Sequence, residues 1–198
     1  MRKIIKLIDS SLYEDNSKGL RLLLNKTNIN NSEAPTPVSE DVAINETNFP
    51  DSAFRVYVAT KFDLDGDGYF TKSEIENITD IDLGNYKVTS VEGIRLFSNL
   101  ETLECRSNYL ISLDVSGCTN LETLVCICND LTSLDVSGCT NLRALVCDYN
   151  ALTSLDVSGC TNLEILVCNA NALTSLDISK NPFLTEIKYD EDKTVILK

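Results

Sequence analysis

Between positions 63 and 74 the chain reads DLDGDGYFTKSE. Carboxylates at Asp63, Asp65 and Asp67 alternate with other residues, and a fourth acid, Glu74, closes the stretch. Such spacing suits a hard cation that takes roughly six to eight oxygen ligands. In a loop of this kind Asp63, Asp65 and Asp67 offer side-chain oxygens and Tyr69 its backbone carbonyl. Thr71 acts through water, and Glu74 closes the shell with both carboxylate oxygens. Gly68 permits the sharp turn, and Phe70 is the apolar anchor behind it. The cation this donor set would take is calcium. Four converging acids repel one another without a cation, which favours the metal. The competing reading is an Asp- and Gly-rich turn that folds without one.

Other reactive chemistry is scarce. Among 198 residues there is no His and no Trp, and there are eight Cys. Without His there is no Ser-His-Asp triad, no Cys-His dyad and no zinc site that needs imidazole. Acidic residues number 30 against 17 basic, a net charge of −13, which would repel a phosphate backbone. Nucleic acid is therefore not an expected partner. Residues 1–45 carry six basic and six acidic side chains, so the whole imbalance lies in 46–198. No run approaches the ~20 apolar residues that cross a bilayer, so membrane insertion is not expected. Arg2, Lys3 and Lys6 interrupt Ile4, Ile5, Leu7 and Ile8, which are too few for a signal-peptide core of ~7–15 residues. That argues against export by the general route. Residues 27–41 are rich in Asn, Ser and Pro, and 1–45 read as an extension and linker with little order of its own.

The elements that must hold the loop follow from its flanks. Phe49–Phe62 (FPDSAFRVYVATKF) reads as an incoming helix with Pro50 near its first turn. The outgoing helix has room for about one turn, because Ile78 already belongs to the repeats that follow. Residues 46–77 thus form a small helical cap.

From Leu100 onward the chain repeats every 21 residues, with units starting at Leu100, Leu121, Leu142 and Leu163 and a degraded fifth at Leu184. Each unit has two halves, L-x-x-L-x-C-x-x-N-x and L-x-x-L-x-V-x-x-C-x-x. A looser unit runs from Ile78 to Asn99. The period-2 alternation at the second Leu and the Cys predicts a short strand with one buried face. The Asn predicts a turn whose backbone groups its carboxamide can satisfy. Stacked coils pair strands in a parallel ladder and bury the Leu columns continuously. The fold class is a mainly β solenoid over 78–198 with little helix. Tyr189 keeps the rhythm, and the closing residues read as a final strand. A truncated gene product would read the same way.

Over residues 78–189 the pattern resembles the bacterial leucine-rich repeat family of the nested 21-residue type, and Asp63–Glu74 resembles an EF-hand loop. The resemblance implies a curved binding scaffold of secreted or cell-surface proteins, with the metal rigidifying a cap over the open end of the solenoid. Phe49, Phe54, Tyr57, Val58, Phe62, Ile75 and Ile78 are the residues expected to do the covering. With a single loop, a paired-hand switch that opens a groove is not expected.

Cys105, Cys126, Cys147 and Cys168 are 21 apart, as are Cys118, Cys139 and Cys160. They read as small inward hydrophobes, a disulfide framework or a metal site being the alternatives. Cys128 alone is out of these columns and is the candidate accessible thiol.

If the usual layout of the resembled family holds, Arg106, Val125, Ile127, Val146, Tyr149, Ile165 and Val167 face solvent on the first-half sheet and mark a partner surface. The rival view is that β-branched residues simply suit strands. The second-half face carries columns of Ser and Asp, at Asp114, Asp135, Asp156 and Asp177, which read as a solvated structural surface. The expected function is a non-enzymatic macromolecule-binding scaffold, for protein–protein interaction or adhesion, with a structural calcium site. The alternative is a cell-surface spacer without a specific partner. Self-association through the apolar face fits equally, and a cytoplasmic setting stays open.

Overall fold

A computed structural model describes residues 41–198; of the extension expected over 1–45, residues 1–40 lie outside the described residues. The chain begins there with β1 (Val42–Ala43), which pairs antiparallel with β2 (Tyr69–Phe70). This strand lies upstream of the cap boundary expected at residue 46, so the cap draws in part of the segment that composition assigned to the linker. Ile44 is buried and donates its N–H to the Gly68 carbonyl at 2.9 Å.

Helix α1 spans Ser52–Phe62 and starts later than the expected Phe49, because Asp51 caps it. The Asp51 Oδ1 accepts from the Phe54 N–H at 2.8 Å. Its other oxygen accepts from the Thr89 N–H at 2.8 Å, the Thr89 hydroxyl at 2.7 Å and the Ser90 N–H at 3.3 Å. One carboxylate thereby starts the cap helix and fastens it to the first coil. Helix α2 is short (Lys72–Glu76), as the space before Ile78 requires.

The cap closes the solenoid with aromatics. Phe49, Phe54, Phe70 and Phe97 are fully buried, and their rings meet mostly edge to face at centroid distances near 6 Å, from 5.8 Å for Phe49–Phe54 to 6.0 Å for Phe49–Phe97. Each such ring contributes on the order of 2–3 kcal/mol by burial. Tyr57, Val58 and Ile78 are buried with them, while Phe62 and Ile75 pack at the edge of the core.

The coils that follow build a six-stranded parallel sheet. Its strands are β3 (Asp80–Asp82), β4 (Thr102–Glu104), β6 (Thr123–Val125), β8 (Ala144–Val146), β9 (Ile165–Val167) and β11 (Glu186–Lys188). Each repeat's second Leu is the central inward residue: Leu103 faces Leu124, Leu124 faces Leu145 and Leu145 faces Leu166. All four are fully buried. A 3-10 turn at Ile94–Leu96 fills the second half of the first coil.

Across the coil the second half-units give shorter pairings. β5 (Ser112–Asp114) pairs with β7 (Ser133–Asp135), and β10 (Ser175–Asp177) pairs with β12 (Val195–Leu197). Ser154–Asp156 joins neither pair, so this side is a broken ladder and not a sheet. At the turns beside it the coils come very close. A Cβ built on Gly138 or Gly159 would run into the carbonyl oxygen of Ser116 or Ser137 in the preceding coil.

Inside the turns an asparagine column does the work of a third strand. Asn108, Asn129, Asn150 and Asn171 each donate to the carbonyl of the Cys three residues back and to a carbonyl of the preceding coil. Each also accepts a backbone N–H from that coil. To aim that side chain inward, the residue before it takes a left-handed backbone at Ser107, Cys128, Tyr149 and Ala170, with φ between 52° and 56°. No helix among the described residues is long and apolar enough to cross a membrane.

Candidate functional site

The acidic loop leaves α1 at Asp63 and is shaped by its own carboxylates. Asp63 accepts from the Gly66 N–H at 2.8 Å and the Gly68 N–H at 3.1 Å; Asp65 accepts from Asp67 and Asp67 from Tyr69. Gly66 and Gly68 have φ of 74° and 84°, a region that favours glycine. One oxygen from each of Asp63, Asp65 and Asp67 lies within 4.8 Å of the others. Desolvation raises the Asp63 carboxyl above its ordinary range, and the charges of Asp67 and Asp65 add to this against the two glycine hydrogen bonds. An all-oxygen set under mutual repulsion fits a hard divalent cation in donor chemistry and in charge.

The other three expected ligands stand differently. Glu74 accepts from the Thr71 N–H and hydroxyl with Oε2, both at 2.9 Å, and from the Leu64 N–H with Oε1 at 3.0 Å. It therefore laces the mouth of the loop to its exit and completes a capping box with Thr71, the N-cap of α2. Burial disfavours its charge, yet these hydrogen bonds hold its carboxyl below the usual range. Thr71 is engaged in that box, and Tyr69 is placed in β2.

The second candidate is the outward face of the six-stranded sheet. Val125, Val146 and Val167 stack in register along it, beside Ala144 and Ile165. These residues and Ile127 are half-buried, because stacked neighbours about 4.8 Å apart shade one another. Tyr149 stands clear, 58% exposed. Arg106 is tied down: it pairs with Glu104 of its own strand and lies 3.8 Å from Asp82. The expected contact residues do come together, with Arg106 as a charged margin to an apolar strip.

Sequence reasoning set Asp148 in one column with Arg106, Ile127 and Asn169 but did not count it among the contact residues. It is only 7% exposed and its Oδ1 has no hydrogen-bond partner. Desolvation pushes its carboxyl up, with Lys188 opposing. An acid in a column otherwise held by Arg, Ile and Asn was its only signal. Tyr86 and Tyr109 are exposed, like Tyr149, and lie outside the repeat's regular columns.

The Asp column of the other side serves the backbone. Asp114, Asp135, Asp156 and Asp177 each accept the N–H of the Ser two residues on. Arg95 pairs with Asp114. This is the structural role expected of them.

All eight thiols are free, and Cys128 alone is exposed. Burial pushes Cys105, Cys139 and Cys168 up to about 12, and Cys118 and Cys160 to about 11. The columns are packing, as the small-hydrophobe reading predicts.

No protein-family model matches the chain, and no curated protein matches it. A solved structure does: the functional domain of InlJ from Listeria monocytogenes, described as including a cysteine ladder. It superposes with a TM-score of 0.70 at 37% identity over 77% of this chain. The fold is a leucine-rich repeat solenoid. The chain spans 34% of the length of that structure. Two further L. monocytogenes structures, an internalin (inlF) and an internalin C2 (inlC2), superpose more loosely, with TM-scores of 0.48 and 0.44 at 22% and 21% identity. They cover 78% and 79% of this chain, and 60% and 92% of their own.

Proposed function

We propose that the chain is a bacterial protein-interaction scaffold that binds a protein partner through the outward face of its six-stranded sheet. The observation that carries this is the contrast between the two sides of the coil. The second-half side repeats Ser and Asp and spends its carboxylates on its own turns. The sheet side is continuous, and its outward residues change from coil to coil, through Arg106, Ile127, Asp148 and Asn169. A spacer needs no such variation. Half-buried Val125, Val146, Ile165 and Val167 beside exposed Tyr149 give the mixture of apolar centre and aromatic that interfaces favour. The similarity to the InlJ domain supports the same reading. No catalytic group is proposed.

Within this reading the cap holds a structural calcium ion on Asp63, Asp65 and Asp67, and the setting is the cell surface or outside it, where calcium is plentiful. The ion would offset the repulsion among the three acids and fix the loop against β1.

Two experiments test these statements. The chain and a V146E variant are cross-linked to extracellular extracts; proteins captured by the wild type are expected to be lost in the variant, with its circular dichroism unchanged. Capture that ignores the substitution refutes the sheet face. For the cap, thermal unfolding is followed with about 2 mM calcium and with excess chelator. A site with a dissociation constant near 0.1 mM adds about 2 kcal/mol, absent in D63A. Indifference of the wild type refutes the metal site.

A further inference from the structure

The sheet face carries a recessed acid at its centre. The parallel ladder runs on past the strands, where Ser107, Cys128 and Tyr149 donate their N–H groups to the carbonyls of Ile127, Asp148 and Asn169. Cys147 is inward and fully buried, so alternation turns Asp148 to the outward face, two residues beyond Val146. There Ile127 of the preceding coil and Asn169 of the next one flank it. Both are half-buried, but Asp148 lies deeper, 7% exposed, and its Oδ1 has no hydrogen-bond partner.

The cations nearby are already engaged. Arg106 pairs with Glu104 and lies 3.8 Å from Asp82. Arg143 pairs with Glu164 at 2.6 Å, and Lys188 with Glu186 at 2.9 Å. The face is therefore left with negative charge in excess, in a chain of net charge −13. A partner that covers Val125, Val146 and Val167 strips the remaining water from Asp148. A carboxylate buried without a counter-charge is strongly unfavourable, so the occupant has to bring donors to it.

On the sheet-face reading, without which this fails, we infer that the protein partner inserts an arginine side chain, flanked by apolar residues, onto Asp148. A flat apolar surface covers the strip and leaves the acid unmet. The long Arg stem instead lies along Ile127 and Val146 and carries its charge down to the recess. The last torsion of an Asp side chain is soft, so the entering guanidinium turns the carboxylate until its fork meets both oxygens. Tyr149, next in the chain and 58% exposed, offers a ring face on which the same planar group stacks. A lysine ammonium has no such fork and no such plane. The excess negative charge also steers a basic partner toward this face.

A random-peptide library displayed on phage, panned against the 198-residue chain, tests it. Amide NMR shifts of the chain show which selected peptides sit over Val125, Val146 and Val167. Those peptides are expected to carry an arginine between apolar residues. Asp148→Asn is expected to weaken them about tenfold or more, as is glutamine in place of the peptide's arginine. Both changes together should cost little more than either alone. The fold should accept the amide, since Asn169 holds the same column. The melting temperature is expected to hold or rise, because an unpartnered charge is removed. A clear fall would show the acid serving the fold and overturn the inference. Face-bound peptides that lack arginine, or that bind D148N equally well, overturn it and leave the sheet-face reading standing. Peptides selected only elsewhere on the chain, or none at all, overturn both.

Discussion

Asn129→Ala removes one rung of the asparagine column and allows its worth to be calculated. The side chain is 8% exposed. Its Nδ2 donates to the carbonyls of Cys105 and Cys126 at 3.0 and 3.1 Å, and its Oδ1 accepts the Leu110 N–H at 3.1 Å. Alanine leaves the Leu110 N–H without a partner, while the Cys105 and Cys126 carbonyls each lose one donor and keep another, from Asn108 and Asn150. At about 1–2 kcal/mol for the orphaned N–H and about 0.5 kcal/mol for each of the two other bonds, the expected loss is about 2–3 kcal/mol. That is a sizeable share of the stability of an ordinary domain. Asn141→Ala is the internal control. That residue sits at the same solenoid but on the exposed side, with one hydrogen bond, to the Thr119 carbonyl at 3.1 Å. Its loss should cost under about 1 kcal/mol. Urea unfolding followed by circular dichroism measures both. Equal costs for the two variants, or a cost below about 1 kcal/mol for Asn129→Ala, would refute the claim that the column replaces a strand's hydrogen bonds.

Asp51→Ala should cost about 2 kcal/mol at pH 7, since both a helix cap and the tie to Thr89 and Ser90 are lost. Burial works against the Asp51 charge, but these hydrogen bonds hold its carboxyl below the ordinary 3.8. Its stabilisation is therefore complete above the unfolded value and fades as pH falls through the folded one, so the gap between wild type and variant in chemical denaturation should narrow progressively as pH falls below the ordinary 3.8. Gly138→Ala should destabilise by more than about 2 kcal/mol, because the new methyl meets the Ser116 carbonyl; Gly117→Ala meets only the Arg95 side chain and should be far milder by the same assay. A maleimide should label a single thiol of the native chain, lost in Cys128→Ser, and all eight after unfolding, as mass spectrometry can count.

The parts legible in the sequence were those with local or periodic causes. The 21-residue rhythm foretold the strands and the inward cysteines, because one coil's burial pattern recurs in the next. The acidic loop was legible because its shape depends on residues within a dozen positions. What escaped was long-range. Asp51 meets Thr89 across 38 positions and β1 pairs with β2 over a shorter but still long gap, and neither leaves a mark on local composition. The second-half face read as a matching ladder, yet it breaks at Ser154–Asp156, and nothing in the structure explains the break. Glu74 was legible as an acid at the right place, but its capture by Leu64 and Thr71 depends on helix capping that competes for the same oxygens.

The pairing of β1 with β2 has a mechanical consequence. Val42 lies opposite Phe70 and Ala43 opposite Tyr69, so a pull transmitted through residue 41 against the solenoid loads the pair at one end. The strands would open like a zipper, one rung after another, at low force. The final rung is the bond from Ile44 to the carbonyl of Gly68, inside the acidic loop. Tension on that side of the protein would thus arrive last at the loop, and an ion seated there would act as the stop that keeps the opening from reaching the coils.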